Sequence, residues 1–547
     1  MQPNKKILFG EEARGELKKG IDIVANAVRL TLGPVGRNAS ISRGHRSPII
    51  TNDGVSIAQA IKLKDNFQQM GVAMAQEVAQ KTDSVAGDGT TTTLILLQAI
   101  INEGLDVIKP ETNVMDIRKG IEEQAKIIVE ELKARAVKVE TLEKIIEVAN
   151  ISMENDEIAR QIAETLNTVG EKGIVTVEEG DKKGVHIEVT EGMKINKGFA
   201  APYIVNNYEK MQGEYRDVPV LVSSKKILST DNIMHILEGL HQNGIKQIMI
   251  IADDIDGEAL ASFTLNKARS LMDIIPVRFP VFGEGKYDEL EDIAIRCGTF
   301  VVGDKSAKQL RAVKSGEALK DTDFAVTDLG FAKQVIVRRD NTIIIGGDGD
   351  ITNRVASLEK IIAESDDQDT IKHANVRLGT LLSKAAVIKV GADTETERRY
   401  LKLKLDDAVN ATRGAMEEGI VNGGGWELYS IAMSDRNHLD VANMTYVDLG
   451  KLIMIKASMY PFKQLLTNCS ESVTGLFSQG YNAKTETFTD DLMAEGVVDP
   501  VKVTINAVTN AASAASMFLT TEVIIADEEE AKKDENARSE EHTSELQ

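Results

Sequence analysis

Cysteine is nearly absent. The 547-residue chain has 2, Cys297 and Cys469, far apart in sequence. There is no CxxC pair and no Cys/His cluster, which argues against a zinc site or a disulfide scaffold and leads us to expect a reducing compartment. Aromatic residues are scarce, at 4% with a single Trp, so any core must be mainly aliphatic. No uncharged apolar run reaches the roughly 18 residues that a membrane span needs. Positive charge is in deficit: 64 Lys and Arg stand against 85 Asp and Glu, a net charge of −21. That balance argues against nucleic acid, whose phosphates demand a basic surface, and suits a soluble protein. Met1 to Phe9 contains no signal-peptide apolar region. Cytoplasmic localisation is the expectation.

Aliphatic residues and glycine are plentiful. Hydrophobic residues make up 42% of the chain and 42 residues are glycine. The length suggests roughly three or four domains. The most informative stretch is Gly87-Asp88-Gly89-Thr90-Thr91-Thr92-Thr93. Its glycines let the backbone turn tightly and approach a ligand closely. The apolar run from Leu94 to Ile101 predicts a buried helix with the threonines at its N-terminus. Free N–H groups and hydroxyls there form an anion site. Asp88 is placed to hold Mg²⁺ bridging phosphates. The alternative is a capped helix after a glycine turn, because Thr and Asp cap helices in any case.

Residues 11–32 predict an amphipathic helix, with Leu17, Ile21, Val24, Val28 and Leu32 at helical spacing. Gly33 and Pro34 stop it. Ala39 to Ser42 and Ile49 to Thr51 predict a hairpin-like piece. Asn52-Asp53-Gly54 is a turn signal, with an Asx turn as the ordinary reading of Asp53. Helices follow to about residue 135. From about 170 to 350 the period changes to short β-branched runs, at 173–177, 218–222, 247–251, 299–302 and 335–337. Helical segments at 231–243 and 257–271 alternate with them, an α/β pattern. Beyond about 353 the chain is again mostly helical. Two helical ends around an α/β middle suggest an insertion into one discontinuous domain. Asp406-Asp407 falls on a predicted helix, and Gly423-Gly424-Gly425 is a turn candidate. The tail from Asp527 is highly charged and expected to be disordered. Residues 538–547 read like a translated sequencing adapter, so the native C-terminus is expected to be missing.

Together these motifs resemble the group I chaperonins, the GroEL family. The resemblance rests on Thr31-Leu32-Gly33-Pro34-x-Gly36-Arg37-Asn38, Asp53-Gly54-Val55 and Ala86-Gly87-Asp88-Gly89-Thr90-Thr91-Thr92. It continues through Ala411-Thr412-Arg413, Glu417 to Val421, Gly423 to Gly425, Asn482-Ala483 and Asp499-Pro500. It spans about Phe9 to Thr521. No P-loop is present. The resemblance implies a multidomain α and α/β chaperonin fold. Residues 1–136 and 419–526 would form a helical equatorial domain. Residues 137–191 and 386–418 would form a small intermediate domain, and 192–385 an inserted α/β apical domain that binds polypeptides.

The resemblance also assigns roles. Thr31, Leu32, Gly33 and Pro34 would contact ATP through the backbone. Asp88 would coordinate Mg²⁺, and Gly89, Thr90, Thr91 and Thr92 would cradle the phosphates. Asp407 would swing in on domain closure to orient the attacking water, with Asp53 assisting. Gly424 would lie by the ribose, Asn482 and Ala483 by the base, and Asp499 on the ribose hydroxyls. Asn52 stands where group I members usually carry lysine, which resembles the archaeal and eukaryotic-cytosolic chaperonins and bears on K⁺ dependence. Ser383-Lys384 replaces the Gly-Gly hinge, whereas Gly192 at the other hinge strand is retained. The Gly/Met-rich tail is absent.

Non-native polypeptides would bind Phe199, Tyr203, Ile204, Met234, Leu237, Leu260, Thr264 and Leu265. The apolar face of the helix at 231–243 is wider than one buried stripe requires, and Met suits promiscuous contact. A broadly buried core helix would show the same pattern. The implied assembly is a heptameric ring, stacked in pairs and capped by a GroES-like co-chaperonin lid, with Asp253, Asp254 and Asp256 contributing to an acidic chamber. The expected function is ATP-driven folding. The alternatives are a polypeptide-binding holdase with weak ATPase, and a small-molecule phosphotransferase using Asp88 and Asp407.

Overall fold

In the computed structural model, the apolar run after Asp88 is the helix Thr90–Leu105, with Leu94, Leu96, Leu97, Ile100 and Ile101 all buried. A helix that is apolar on every side belongs in a core. The described residues are 5–43, 46–109, 111–153, 155–170, 173–180, 182–208, 210–280, 286–302, 325–365, 367–436 and 444–527. The expectations for 528–547 lie outside them. The chain divides into two units. One comprises both ends, Met1–Ala163 and Asp393–Gln547, and the other is Glu164–Ala392 between them.

The first unit is mostly helical around an aliphatic core. Gly10–Val28 turns Leu17, Ile21, Val24 and Val28 inward, as their spacing predicts. It stops four residues earlier than the apolar spacing suggested. A single turn of tighter helix, Arg29–Thr31, follows, and Leu32 falls beyond it in extended backbone. Two helix pairs meet at glycines, which allow backbones to approach more closely than any side chain would. Gly20 on Gly10–Val28 faces Gly71 on Asn66–Ala86. A Cβ at Gly20 would lie 2.0 Å from the Gln68 carbonyl oxygen, and one at Gly71 would lie 2.0 Å from that of Leu17. Gly120 on Val114–Arg135 and Gly450 on Tyr446–Ser458 repeat the arrangement, at 1.9 Å from Val447 O and 2.1 Å from Ile117 O. Lys5–Phe9 pairs antiparallel with Val523–Asp527, joining the two chain ends. Ala39–Arg43 and Arg46–Thr51 form the expected hairpin.

The second unit is built on a mixed sheet. Its strands run in the order Ile174–Glu179, Lys384–Gly391, Gly184–Ile195, Thr342–Gly347, Gly330–Val337, Gly213–Ser223, Gln247–Ala252 and Asp273–Arg278. The short strand Val301–Val302 also pairs with Gly213–Ser223. Helices cover both faces at the parallel end, and the side chains divide residue by residue. Val220, Val222, Met249, Ile251, Ile275 and Val277 pack with the helices Lys286–Arg296, Thr352–Glu364 and Gln368–Leu381. Leu221, Ile248, Ile250 and Ile274 pack on the other side with Met234–Gln242 and Gly257–Ala268. Burial on both faces is why these strands read as unbroken apolar runs rather than alternating ones.

The structure adds strands that the runs did not mark. Asp273–Arg278 carries Pro276, which argues against a central strand. It stands at the sheet edge, where a missing N–H is tolerated. Gly184–Ile195 is exposed along much of its length and carries charged residues. Of the run 299–302, only Val301–Val302 is strand. At the positions that the resemblance marks as a hinge, the Gly192 N–H donates to the Ser383 carbonyl at 3.1 Å.

Candidate functional site

The first unit contains a cavity of about 660 Å³. Its floor is the bend at Asp88. The helix Asn66–Ala86 ends at Gly87 in the left-handed region (φ 68°), and Gly89 (φ 84°) opens Thr90–Leu105 in the same region. Both positions also lack room for a side chain. A Cβ on Gly87 would lie 2.4 Å from the Asn410 side chain, and one on Gly89 would lie 2.5 Å from Val503 Cγ1. The Asp88 carboxylate accepts the Gly89 N–H. The first intrahelical bond runs from the Thr93 N–H to the Gly89 carbonyl at 3.0 Å. The N–H groups of Thr90, Thr91 and Thr92 therefore lack intrahelical partners, as at any helix start. They lie in the cavity wall. Thr31 Oγ1 donates to Val28 O at 2.8 Å and lies 3.4 Å from Thr91 Oγ1, which fixes the Thr31–Pro34 loop against the same turn.

Asp53 is the N-cap of Gly54–Ala60. Its carboxylate accepts the Val55 N–H at 3.1 Å, the Ser56 N–H at 3.0 Å and the Ser56 hydroxyl at 2.6 Å. The ordinary capping reading is thus correct, and Asp53 lines the cavity as well. Asp407 comes from the long helix Glu395–Glu418, and Asp499 from the short strand Val498–Pro500. The Gly425 N–H lies 3.5 Å from Asp499 Oδ2. Every nucleotide-site residue expected from sequence lines this one cavity: Thr31 to Pro34, Asn52, Asp53, Asp88 to Thr92, Asp407, Gly424, Asn482, Ala483 and Asp499. Asp407 already lies in the wall in this structure.

The wall is strongly acidic. Burial, reinforced by Asp53, pushes the Asp88 carboxyl up to about 6 against the opposing Gly89 N–H. Burial, then Asp53, Asp88, Asp83 and Asp406, hold Asp407 well above the usual carboxylate range. Burial pushes Asp499 up to about 7, with Asp88 and Glu427 adding to the shift. Among the described residues no set of three or more ligands is grouped to cage a metal ion. Mg²⁺ fits this arrangement on one or two carboxylates, with the rest of its shell supplied by phosphate oxygens and water. A cation would also relieve the repulsion among these acids.

Sequence reasoning missed several wall residues, including Asn150, Ser152, Lys404, Lys484 and Glu495. Lys404 was legible, because it precedes Asp407 by one helical turn. Asn150 and Ser152 carry no local signal. Glu495 explains Asn482, whose Nδ2 donates to it at 2.7 Å. Asn482 Oδ1 accepts the Lys484 N–H at 3.0 Å and the Thr485 N–H at 3.4 Å. The Asn482 side chain thus shapes its own turn.

A family model described as the TCP-1/cpn60 chaperonin family matches residues 24–234 and 228–529. The chain belongs to the TCP-1/cpn60 chaperonin family. The fold agrees. The chaperonin gp146 of bacteriophage EL 2 (Pseudomonas aeruginosa), crystallised in the presence of ATP-BeFx, matches in two crystal forms. Form II gives a TM-score of 0.66 at 23% identity, and form I gives 0.61 at 22%. Each match covers 96% of this chain and 99% of gp146.

In this chaperonin the residues expected to bind polypeptides differ in exposure. Met234 and Leu265 are exposed, at 40% and 49%, and Thr264 is exposed with its hydroxyl donated to Leu260 O at 2.8 Å. Phe199, Tyr203 and Leu260 are half-buried, and the Tyr203 hydroxyl donates to Ile274 O at 2.7 Å. Ile204 and Leu237 are buried, at 1% and 8% exposure. Ile204 packs under the sheet, and Leu237 joins Ile233, Ile236 and Leu240 in the core. The wide apolar face of this helix is therefore mostly a core face, with Met234 at its margin. Of the acids expected to face a chamber, Asp254 pairs with Arg278 at 2.9 Å, and Asp256 caps Gly257–Ala268.

Proposed function

We propose that this chaperonin is an ATP-driven foldase. The observation that carries the reading is one cavity that gathers a helix N-terminus and the carboxylates of Asp53, Asp88, Asp407 and Asp499 from separate chain segments. Among its structural relatives, gp146 was crystallised with an ATP analogue, which supports a nucleotide here. Gly89 to Thr92 present N–H groups and hydroxyls to the phosphates. The Thr31–Pro34 loop closes over them with bare backbone. Asp88 holds Mg²⁺, which when bound neutralises phosphate charge and polarises the bond to be broken. Asp407 accepts a hydrogen bond from the attacking water and orients it, with Asp53 beside it, since phosphoryl transfer depends mainly on positioning. Asp499 and Gly424 hold the ribose. Asn482 and Ala483 meet the base through the backbone, because the Asn482 side chain is engaged in its own turn. K⁺ is expected to assist near Asn52.

Non-native chains are captured on the margin formed by Met234, Leu260 and Leu265 with Phe199 and Tyr203, where exposed apolar area is the attractive feature. Heptameric rings in pairs, a GroES-like lid and a cytoplasmic setting complete the proposal. Asp407→Ala tests the chemistry. Mg²⁺-ATP binding is expected to survive, while turnover falls by about 100-fold or more, the scale of a lost positioning group. Turnover equal to that of the wild type would remove Asp407 from the role. Negative-stain images with and without ATP test the ring.

A further inference from the structure

The cavity wall poses an electrostatic problem. Asp53, Asp83, Asp88, Asp407, Glu427 and Asp499 all face a space proposed for a polyanion. One Mg²⁺ offsets only part of that charge. The wall itself can supply fixed positive charge, and among the described wall residues the cationic side chains are Lys404 and Lys484. Lys484 follows Asn482-Ala483, at the base end of the proposed site. Lys404 lies on Glu395–Glu418 three residues before Asp407, a spacing that puts both on one face of the helix. Both are half-buried. The same helix thus carries an acid and a base into the cavity one turn apart. The Lys404 ammonium lies over the Tyr400 ring one turn back on the same helix, with Nζ 6.0 Å from its centroid. Asn52, on the opposing loop, brings a neutral amide to the wall and no charge.

We propose that Lys404 is a substrate-binding residue that recognises the terminal phosphate of ATP. Its ammonium donates to a γ-phosphate oxygen on the side where Asp407 holds the water. The helix Glu395–Glu418 then senses the presence of the third phosphate through one side chain and acts on it through the next. ADP, which lacks that phosphate, leaves Lys404 without its ligand. The inference rests on the nucleotide reading of the cavity.

The test is equilibrium binding of Mg²⁺-ATP and Mg²⁺-ADP to the full-length chain and to Lys404→Gln and Lys404→Arg. Losing a charge-assisted hydrogen bond should weaken ATP binding by about 10-fold or more. ADP affinity should stay within about twofold of wild type, and Lys404→Arg should recover most of the ATP affinity. Equal ATP affinity in Lys404→Gln and wild type would overturn the proposal, as would equal losses for ATP and ADP. If Lys404→Gln fails to fold, acetylation of wild-type Lys404 by an amine-reactive reagent, read by mass spectrometry, gives the answer instead. Protection by Mg²⁺-ATP and not by Mg²⁺-ADP supports the role, and equal labelling in both overturns it. Wild-type protein that binds no Mg²⁺-ATP would overturn the nucleotide reading itself, a result distinct from a change confined to the variants.

Discussion

Asp88 and Asp499 hold protons in the ligand-free cavity at pH values where an ordinary aspartate does not, with values of about 6 and about 7. Their folded-state values exceed those of the unfolded chain, so the folded state binds more protons between about pH 4 and 7. Their contribution to stability is full below the unfolded value and is lost as pH rises through the folded one. The ligand-free protein should therefore lose stability from pH 5 to pH 8 through these groups, and Asp88→Asn should flatten that loss. Thermal unfolding across this range checks it, and an unchanged slope in the variant would contradict it. Metal ligation needs the carboxylate form. Mg²⁺-ATP binding at pH 6 should thus release protons, seen as a dependence of calorimetric heat on the ionisation enthalpy of the buffer. Asn52→Lys places a cation near the phosphates. Tighter ATP binding or faster turnover is expected, with K⁺ dependence appearing or growing. Identical kinetics across K⁺ concentrations in both proteins would count against it.

At the scale of elements, glycine sets the geometry. Gly87 needs both its left-handed backbone and its bare Cα, because a Cβ would meet Asn410. Gly87→Ala should distort the bend and weaken Mg²⁺-ATP binding even where the unit remains folded. Gly71→Ala should act differently, since its Cβ meets backbone at the helix crossing. A loss of about 1–3 kcal/mol is expected from such overpacking. The readout is a lower unfolding temperature, with ATP affinity retained below it. Local signals made much of this legible. The aliphatic stripe of Gly10–Val28, the run Leu94 to Ile101 and the glycines around Asp88 each announce their element. Other parts were not legible, because their cause is non-local. Pro276 is tolerated only because its strand is at the sheet edge. Leu237 looks surface-competent until the packing of Ile233, Ile236 and Leu240 draws its helix inward.

For the whole molecule, the acids of the cavity come from two distant parts of the chain, Asp53 and Asp88 from one and Asp407 and Asp499 from the other, and sequence alone could group them only through resemblance to a family. The structure groups them physically. In the second unit it also divides the expected polypeptide-binding residues into exposed and buried ones. Met234→Glu with Leu265→Glu should reduce capture of denatured protein while leaving the unfolding temperature near that of wild type, because both residues are exposed. Leu237→Glu should instead unfold the unit, as burying an unpaired charge does. Normal capture by the folded double variant would remove this margin from the binding surface. Taken together, these residues should convert ATP turnover into folded client. The most direct measurement is the refolding yield of a chemically denatured enzyme in the presence of Mg²⁺-ATP, with wild-type protein and Asp407→Ala compared side by side, each tested with and without candidate lid protein. The expected result is a yield above spontaneous refolding for wild type and a captured but unreleased client for Asp407→Ala. Equal yields from the two proteins, or a wild-type yield independent of ATP, would contradict an ATP-driven foldase.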